Sequence, residues 1–227
     1  MSDTWSLKFL RERIQSLGLS DADDVIARIN SIGRAVLIYE YHKRLARDAF
    51  EIFSTENDPS GRCLTTHFFG MADDGIVLWE AGIVSEANLI AAINITKGMF
   101  DSFGQLVNRL VLCEPIVGNV YLHLVLKKLP PSPLRSELSA ATSSEWFNYI
   151  TAFINSVKHS QLVTHGASVS FVDDNRGGKL KEFTHNGKHY PSYWAREILE
   201  GVVEIQKSLI VCGQALNNAE FQRYKHQ

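Results

Sequence analysis

The chain has 227 residues, of which 45% are hydrophobic and 21% are charged, and its formal net charge at pH 7 is -2. This composition is that of a globular protein, so it excludes an intrinsically disordered chain and a strongly basic nucleic-acid-wrapping protein. The three cysteines, Cys63, Cys113 and Cys212, are far apart and form no CxxC pair, so neither a disulfide framework nor a zinc knuckle is indicated.

The N-terminal segment MSDTWSLKFLRERIQ carries charges in its first turns and has no uninterrupted apolar stretch, which predicts that no secretory signal peptide is present. No run approaches the roughly 18 apolar residues of a membrane span. No linker rich in proline, glycine or serine interrupts the chain, which favours one helical domain over residues 1–227. We therefore expect a soluble protein of a bacterial cytoplasm with no membrane partner.

The first half of the chain is dominated by helical periodicity. An amphipathic helix is predicted from Trp5 to Leu17, with Gly18 just after its end, and Ser20 is the predicted N-cap of a second helix. That second helix has about thirty residues, which corresponds to roughly 45 Å. The stretch Gly61 to Val84 has no clean period, so it is predicted to be a loop with a short strand pair at Asp74-Gly75.

Two further helices follow in the predicted order. Ser85 begins a long helix that cannot continue past Pro115, and a shorter helix is expected at about Asn119 to Leu129. Thr142 and Glu145 fit a capping box at the start of the next helix.

The period changes after Gly166. Alternating residues, the turn-like DDNRGG segment and the Asn-Gly hairpin signal predict a β-meander at about 166–190, and Ser192 then begins the last helix. The predicted fold class is mainly α: a helical bundle with long helices and a small antiparallel β-meander inserted before the last helix.

The predicted helix from Glu145 to Val163 has a broad apolar face and, beside it, a polar stripe at spacings of three and four residues. Such a stripe either lines a cleft or is the solvated side of a bundle helix. Its members are Asn148, Thr151, Asn155 and His159, and Lys158 lies near its edge.

The aromatic helix that continues into Asn155-Ser-Val-Lys158-His159 resembles the HEPN superfamily, whose all-helical domains carry an Arg-x(4–6)-His motif. The resemblance implies a HEPN-like bundle, metal-free cleavage of RNA and two motifs that meet across a homodimer. Asn155 would be the polar residue of the motif and His159 its histidine. The motif arginine is absent, because its three allowed positions are occupied by Ala152, Phe153 and Ile154.

The missing arginine matters because a histidine can move protons, whereas the charge that develops on the phosphate requires a fixed cation. Lys158 is cationic, but its ammonium is a point charge, and it lies directly beside the histidine and not one turn before it, where the motif arginine would be. Arg109, next to Asn108 on an earlier helix, is another candidate for contacting a ligand. We therefore predict a catalytically degenerate HEPN-like module, with no cofactor, that binds RNA, a nucleotide or a protein partner.

Two alternatives remain open at this stage. The first is a metal-independent endoribonuclease in which His159, Lys158 and Asn155 are catalytic and Asn148, Thr151, Asn108 and Arg109 contact the substrate. The second is a structural or assembly dimer without a ligand. The long helices make a homodimer the expected assembly in any of these cases.

The charges and histidines are unevenly distributed. Residues 120–190 carry eight basic and five acidic side chains and five of the eight histidines, so an anionic ligand would approach there, unless the lysines serve only solubility.

His165, His185 and His189 could bind zinc, but without an acidic or cysteine partner at ligand spacing they are predicted to be surface histidines and no metal site is expected. Tyr190, Tyr193 and Trp194 either stack on bases or anchor a loop. Phosphate-loop, dinucleotide-binding, nucleophile-elbow and HExxH motifs are absent from the sequence, so it gives no support to those enzyme classes.

Overall fold

The computed structural model describes residues 4–70, 76–170, 172–173 and 175–221. Over these residues the protein is mainly helical, with a small antiparallel sheet before the last helix, as the sequence predicts. A 3-10 turn, Glu51–Phe53, follows the second helix. The helices are α1 (Leu7–Ser16), α2 (Ala22–Asp48), α3 (Arg62–Phe68), α4 (Ile76–Leu110), α5 (Leu122–Lys128), α6 (Pro133–Ser143), α7 (Glu145–His159) and α8 (Ala195–Asn218). The strands between α7 and α8 are β1 (His165–Ser170), β2 (Asn175–Leu180), β3 (Phe183–His185), β4 (Lys188–Tyr190) and β5 (Tyr193–Trp194).

The strands form two antiparallel groups. In the first, β2 lies between β1 and β5, with His165 opposite Leu180 and Lys179 opposite Trp194. The second group is the β3–β4 hairpin, whose turn residues Asn186 and Gly187 have φ angles of 50° and 75°. Positive φ at both central positions is what a two-residue hairpin turn requires, so the Asn-Gly prediction is confirmed.

The chain divides into two compact units. Unit 1 comprises residues 1–38, 95–148 and 203–227, and unit 2 comprises residues 39–94 and 149–202. The chain passes between the units within α2, α4, α7 and α8.

The core of unit 1 is organised by the second half of α4. Phe100, Phe103, Leu106 and Leu110 are fully buried there, which follows from their spacing of three and four residues along one helical face. Phe103 receives the edge of the Trp5 ring at a centroid distance of 5.6 Å. The N-terminal segment is therefore held to the core by aromatic packing.

The core of unit 2 is rich in aromatic side chains from α7 and the hairpin. Tyr149 lies edge-on to Phe183, Tyr190 and Tyr193 at centroid distances of 5.5, 6.0 and 5.2 Å. Phe183 also lies 6.2 Å from Phe153 and stacks on Tyr190 at 5.0 Å. These contacts fix the β3–β4 hairpin against α7 at Tyr149 and Phe153, on the N-terminal side of the candidate motif.

The predicted loop from Gly61 to Val84 is wrong in two places, because α3 occupies part of it and α4 begins well before Ser85. The carboxylate of Asp58 accepts the backbone N–H groups of Cys63 at 3.2 Å and Leu64 at 3.0 Å, which satisfies the start of α3. The cap is thus supplied from outside the usual N-cap position. The Asp74-Gly75 pair lies outside the described residues.

The helix predicted from Glu145 to Val163 begins at Glu145 as predicted, but it ends at His159, and its predicted capping residue, Thr142, is wrong. The Thr142 hydroxyl donates to the carbonyl oxygen of Leu138 at 2.8 Å, because Thr142 belongs to α6, a helix that the sequence did not predict. The Ser144 hydroxyl instead accepts the N–H of Phe147 at 3.3 Å, so the serine is the cap of α7.

Two boundaries around the sheet differ from prediction as well. Asn175 to Gly178 of the DDNRGG segment belong to β2, so they are strand residues and not turn residues. The last helix begins at Ala195, after β5, where the Glu197 carboxylate accepts the N–H of Trp194 at 2.7 Å. The start predicted at Ser192 is therefore wrong by a few residues, because a short strand intervenes.

Among the described residues, α4 has the length and composition of a helix that could cross a membrane. Its most apolar window has a mean hydropathy of 1.6, and 28% of that window is buried. Length and composition alone define this property, and core helices of soluble proteins share it.

Candidate functional site

The Asn-Lys-His motif lies at the C-terminal end of α7. Lys158 and His159 are the last two residues of the helix and are exposed, whereas Asn155 is half-buried. Cationic side chains are favourable there because the helix dipole is negative at that end. The three side chains form no hydrogen bond or ion pair within the part of the chain that the structure describes, so their polar groups are available to a ligand.

The β3–β4 hairpin places a second group of basic side chains beside this motif. The Nδ1 atom of His185 lies 3.4 Å from the Ser156 hydroxyl, which is one turn before His159. Lys188 is the cross-strand partner of His185, and such partners lie on the same face of a hairpin. We call the resulting group the α7–hairpin edge: Asn155, Lys158, His159, His185 and Lys188.

The charge of the α7–hairpin edge has one sign. Residues 149–165 and 183–193 contain no Asp or Glu. Glu182, which is exposed, is the acidic residue that immediately precedes β3. The edge contains two lysines and two histidines and no acid, which favours an anionic partner over a cationic one.

The positions that would hold the motif arginine are in the core. Ala152, Phe153 and Ile154 are 3%, 1% and 4% exposed. A guanidinium at any of these positions would require burial of a charge, which is costly without a partner. The α7 helix therefore supplies no fixed guanidinium to its histidine.

The other two members of the polar stripe differ from Asn155 and His159. The Asn148 amide donates to the carbonyl oxygens of Ser144 at 2.9 Å and Ser143 at 3.3 Å, so it joins the end of α6 to α7. The Thr151 hydroxyl is buried and has no hydrogen-bond partner among the described residues. The stripe is therefore not one continuous solvent-facing surface.

Asn108 and Arg109 belong to unit 1, and both are engaged there. The Asn108 amide donates to the carbonyl oxygen of Ile116 at 3.2 Å and accepts the N–H of Ile116 at 2.8 Å. The guanidinium of Arg109 forms an ion pair with Asp21. These contacts hold the segment that follows α4 and the segment that precedes α2.

The remaining candidates have identifiable contacts. His189 is exposed, and Tyr190 and Tyr193 pack on Tyr149, which anchors the hairpin. Trp194 is 9% exposed. Over the described ranges, no group of three His, Cys, Asp or Glu side chains could hold a metal ion.

A polar pair in unit 2 was not predicted from the sequence, and the prediction that His165 is a surface histidine is wrong, because its ring is packed against Ser85. The hydroxyl of Ser85, on α4, lies 3.2 Å from Nε2 of His165, and Ser85 has no exposed surface. Burial lowers the pKa of His165 to about 4, so the imidazole is neutral at pH 7. A Cβ atom at Gly178 would approach Nε2 of His165 to 2.6 Å and the Ser85 hydroxyl oxygen to 2.9 Å. The glycine at this strand position is the sequence signal that could have indicated a close approach.

Comparison of the chain with protein-family models, with curated proteins and with solved structures finds no match.

Proposed function

We propose that the protein is a HEPN-like helical module that binds RNA through the α7–hairpin edge and has little or no catalytic activity. The observation that carries the proposal is the exposure of Lys158 and His159, which have no partner among the described residues, beside the basic face of the β3–β4 hairpin. The resemblance of the Asn155 to His159 segment, together with the mainly helical fold, supports the HEPN assignment.

The ligand class follows from the charges. Lysines neutralise backbone phosphates and release condensed counterions, which is the main source of sequence-independent affinity for nucleic acids. Lys158 and Lys188 supply two such charges, and the half-buried Asn155 can donate to a phosphate or sugar oxygen. Unpaired RNA suits a short edge of this kind better than a duplex, since its backbone can adapt to a few contacts.

The weak or absent catalysis follows from the buried motif positions. A histidine alone can transfer protons, but the charge on a phosphorane-like transition state requires a fixed donor. Loss of one such donor typically costs about 3 to 4 kcal/mol in activation free energy. Lys158 is adjacent to His159 and is a flexible point charge, so it is a poor substitute for a bidentate guanidinium.

The test is fluorescence anisotropy with a labelled, mixed-sequence single-stranded RNA in EDTA, as a function of salt. We expect the double variant Lys158→Glu, Lys188→Glu to bind at least about tenfold more weakly than the wild type. Single Lys→Ala variants should each lower the slope of log K against log salt by about 0.7. Lys207→Glu, an exposed lysine on α8 in unit 1, is the matched control and should bind as the wild type does.

The same RNA, incubated in EDTA with the wild type and with His159→Ala, separates the alternatives. Cleavage of the RNA by the wild type but not by His159→Ala would establish the endoribonuclease in place of the binding module. Absence of RNA binding by the wild type would reject the proposal, and a dimer mass by light scattering would then favour a structural or assembly role.

A further inference from the structure

Unit 2 contains a cavity of about 170 Å³ whose walls carry three arginines. Arg47 comes from the end of α2, Arg176 from β2 and Arg196 from the start of α8, and Ser85 and Gly178 also line it. The cavity is smaller than the roughly 300 to 1,000 Å³ of sites for drug-sized ligands. It therefore suits a small ion or a single functional group.

One of the arginines is fixed in place. The Arg176 side chain is 11% exposed, and its Nη1 atom donates to the carbonyl oxygen of Asp58 at 2.9 Å and lies 3.7 Å from the Asp58 carboxylate. Asp58 is in turn held by the N–H groups at the start of α3, and the bond from Leu64 is the largest cause that lowers its pKa. The guanidinium of Arg176 is thus a permanent cationic part of the wall.

The other two arginines can turn toward a ligand. Arg47 pairs with Asp48 and Arg196 with Glu200, and these side chains are 62% and 70% exposed. Exposed ion pairs of this kind contribute little to stability and exchange readily. Among the described lining residues, Glu51 is the acid, and each of the three arginines also has a carboxylate partner outside the lining: Asp48, Asp58 or Glu200.

Ser85 also lines this cavity, although it has no exposed surface. Serines and threonines within helices often donate to the carbonyl four residues earlier, as Thr65, Thr66 and Ser208 do here. Among the described residues, the Ser85 hydroxyl instead forms its one hydrogen bond with His165.

The protonation of His165 determines what Ser85 can donate. The Nδ1 atom of His165 is buried and has no partner in the described residues. A buried N–H without an acceptor is rarer and costlier than a buried lone pair, so the proton of the neutral ring belongs on Nε2. The His165 Nε2–H then donates to the Ser85 oxygen, and the Ser85 O–H is left to donate into the cavity.

The first turn of α8 also lies at the cavity wall, and it contains the carboxylate of Glu197, which accepts the N–H of Trp194 at 2.7 Å. Ala195 and Arg196 line the cavity at the start of this 24-residue helix. The preceding residue, Trp194, has no side-chain acceptor with which to cap the first N–H groups.

We propose that this cavity binds a small tetrahedral oxyanion, either inorganic phosphate or the phosphate group of a small monoester. Arg47 and Arg196 would close on its oxygens, Ser85 would donate to it, and Arg176 would supply fixed charge. None of these residues belongs to the α7–hairpin edge, so the two proposals can succeed or fail separately.

The test is calorimetric titration of the full-length protein with inorganic phosphate and with glycerol phosphate at constant ionic strength. We expect one site, with affinity lowered at least about tenfold in the double variant Arg47→Gln, Arg196→Gln. Ser85→Ala should weaken binding severalfold. The control, Lys8→Gln with Lys207→Gln, removes two exposed charges in unit 1 and should leave binding unchanged.

A second readout follows the site directly. Long-range ¹H–¹⁵N spectra report the histidine side chains, and His165→Gln assigns the signals of His165. Phosphate should shift the Nε2 signal of the wild type but not that of Ser85→Ala. If Ser85→Ala does not fold, the arginine variants still decide the question, because both of their side chains are exposed.

Either phosphate source supports the proposal, and the tighter binder of the two identifies which one the cavity prefers. The absence of binding heat at millimolar phosphate would overturn it. Equal affinity in the arginine double variant and the wild type would overturn it as well.

Discussion

The candidate polar residues of unit 1, Asn108 and Arg109, are engaged by their own unit, whereas several candidates in unit 2 are left open. In unit 1, Asn108 bonds to both backbone groups of Ile116, and Arg13 donates to the carbonyl oxygens of Asn217 and Ala219 at 2.7 and 2.8 Å. In unit 2, the side chains of Lys158 and His159 have no internal partner among the described residues, and the Ser85 hydroxyl lines a cavity.

This difference separates structural polar residues from ligand-binding candidates. Asn108 and Arg109 are as plausible in sequence as Asn155 and His159, because the same residue types bind phosphates in many proteins. The partners decide between the two roles. A side chain with all of its hydrogen-bonding groups engaged must lose those bonds before it can contact a ligand, whereas an open side chain loses only water.

The largest expected change in stability is that of Asp58→Ala, and it would show that unit 2 also contains a structural polar centre. Asp58→Ala removes both the cap of α3 and the partner of the nearly buried Arg176. Breaking such a pair leaves a charge without compensation, so we expect the free energy of unfolding to fall by about 3 to 5 kcal/mol. Urea unfolding measures this change.

Asp48→Ala is the control for this variant, since its ion pair with Arg47 is exposed and should contribute less than about 1 kcal/mol. The lowered pKa of Asp58 also means that its contribution is present above the ordinary aspartate range and is lost as the pH falls through its folded-state value. Equal effects of the two alanine variants would show that Asp58 is not a structural centre.

The next effect concerns the buried pair in unit 2. The pKa of His165 is about 4 in the folded protein and about 6.5 when unfolded, so only the unfolded state takes up the proton between these values. Stability should be unaffected above this range and should fall as the pH is lowered through it, by up to about 1.4 kcal/mol per pH unit.

Chemical denaturation of the wild type and His165→Gln at a series of pH values measures this slope. His165→Gln should lose the part of the slope that His165 contributes, whereas His189→Gln, at an exposed position, should keep it. An unchanged slope in His165→Gln would show that the imidazole is not held neutral by burial.

The sequence predicted those features that depend on near neighbours. Helical periodicity indicated α2 and α8, and the Asn186-Gly187 pair indicated the hairpin, because a local backbone preference decides each of them. By contrast, α3 was missed because its N–H groups are capped by the side chain of Asp58 from outside the helix.

The candidate site was predictable in part for the same reason. The Asn155 to His159 segment is visible as a short motif on one helix, whereas Ser85 and His165 are eighty residues apart and meet only through the packing of unit 2. No local pattern connects residues at that separation. The pairing of Asn108 with Ile116 spans only eight residues, but neither residue carries a sequence signal for that bond.

The smallest effect tests the comparison at the residue where sequence and structure suggest different roles. Asn108 is 6% exposed, and its two hydrogen bonds to Ile116 close the segment after α4. Asn108→Ala leaves the N–H and carbonyl groups of Ile116 without these partners, which should lower the free energy of unfolding by about 1 to 3 kcal/mol. The affinity for RNA should stay that of the wild type, since the side chain is already engaged. Asn155 is half-buried, and its side chain has no partner in the described part of the chain. Asn155→Ala should therefore give the converse result: weaker RNA binding with stability almost unchanged. Reduced RNA affinity in a folded Asn108→Ala protein would restore Asn108 as a binding residue and would remove the distinction drawn between the two units.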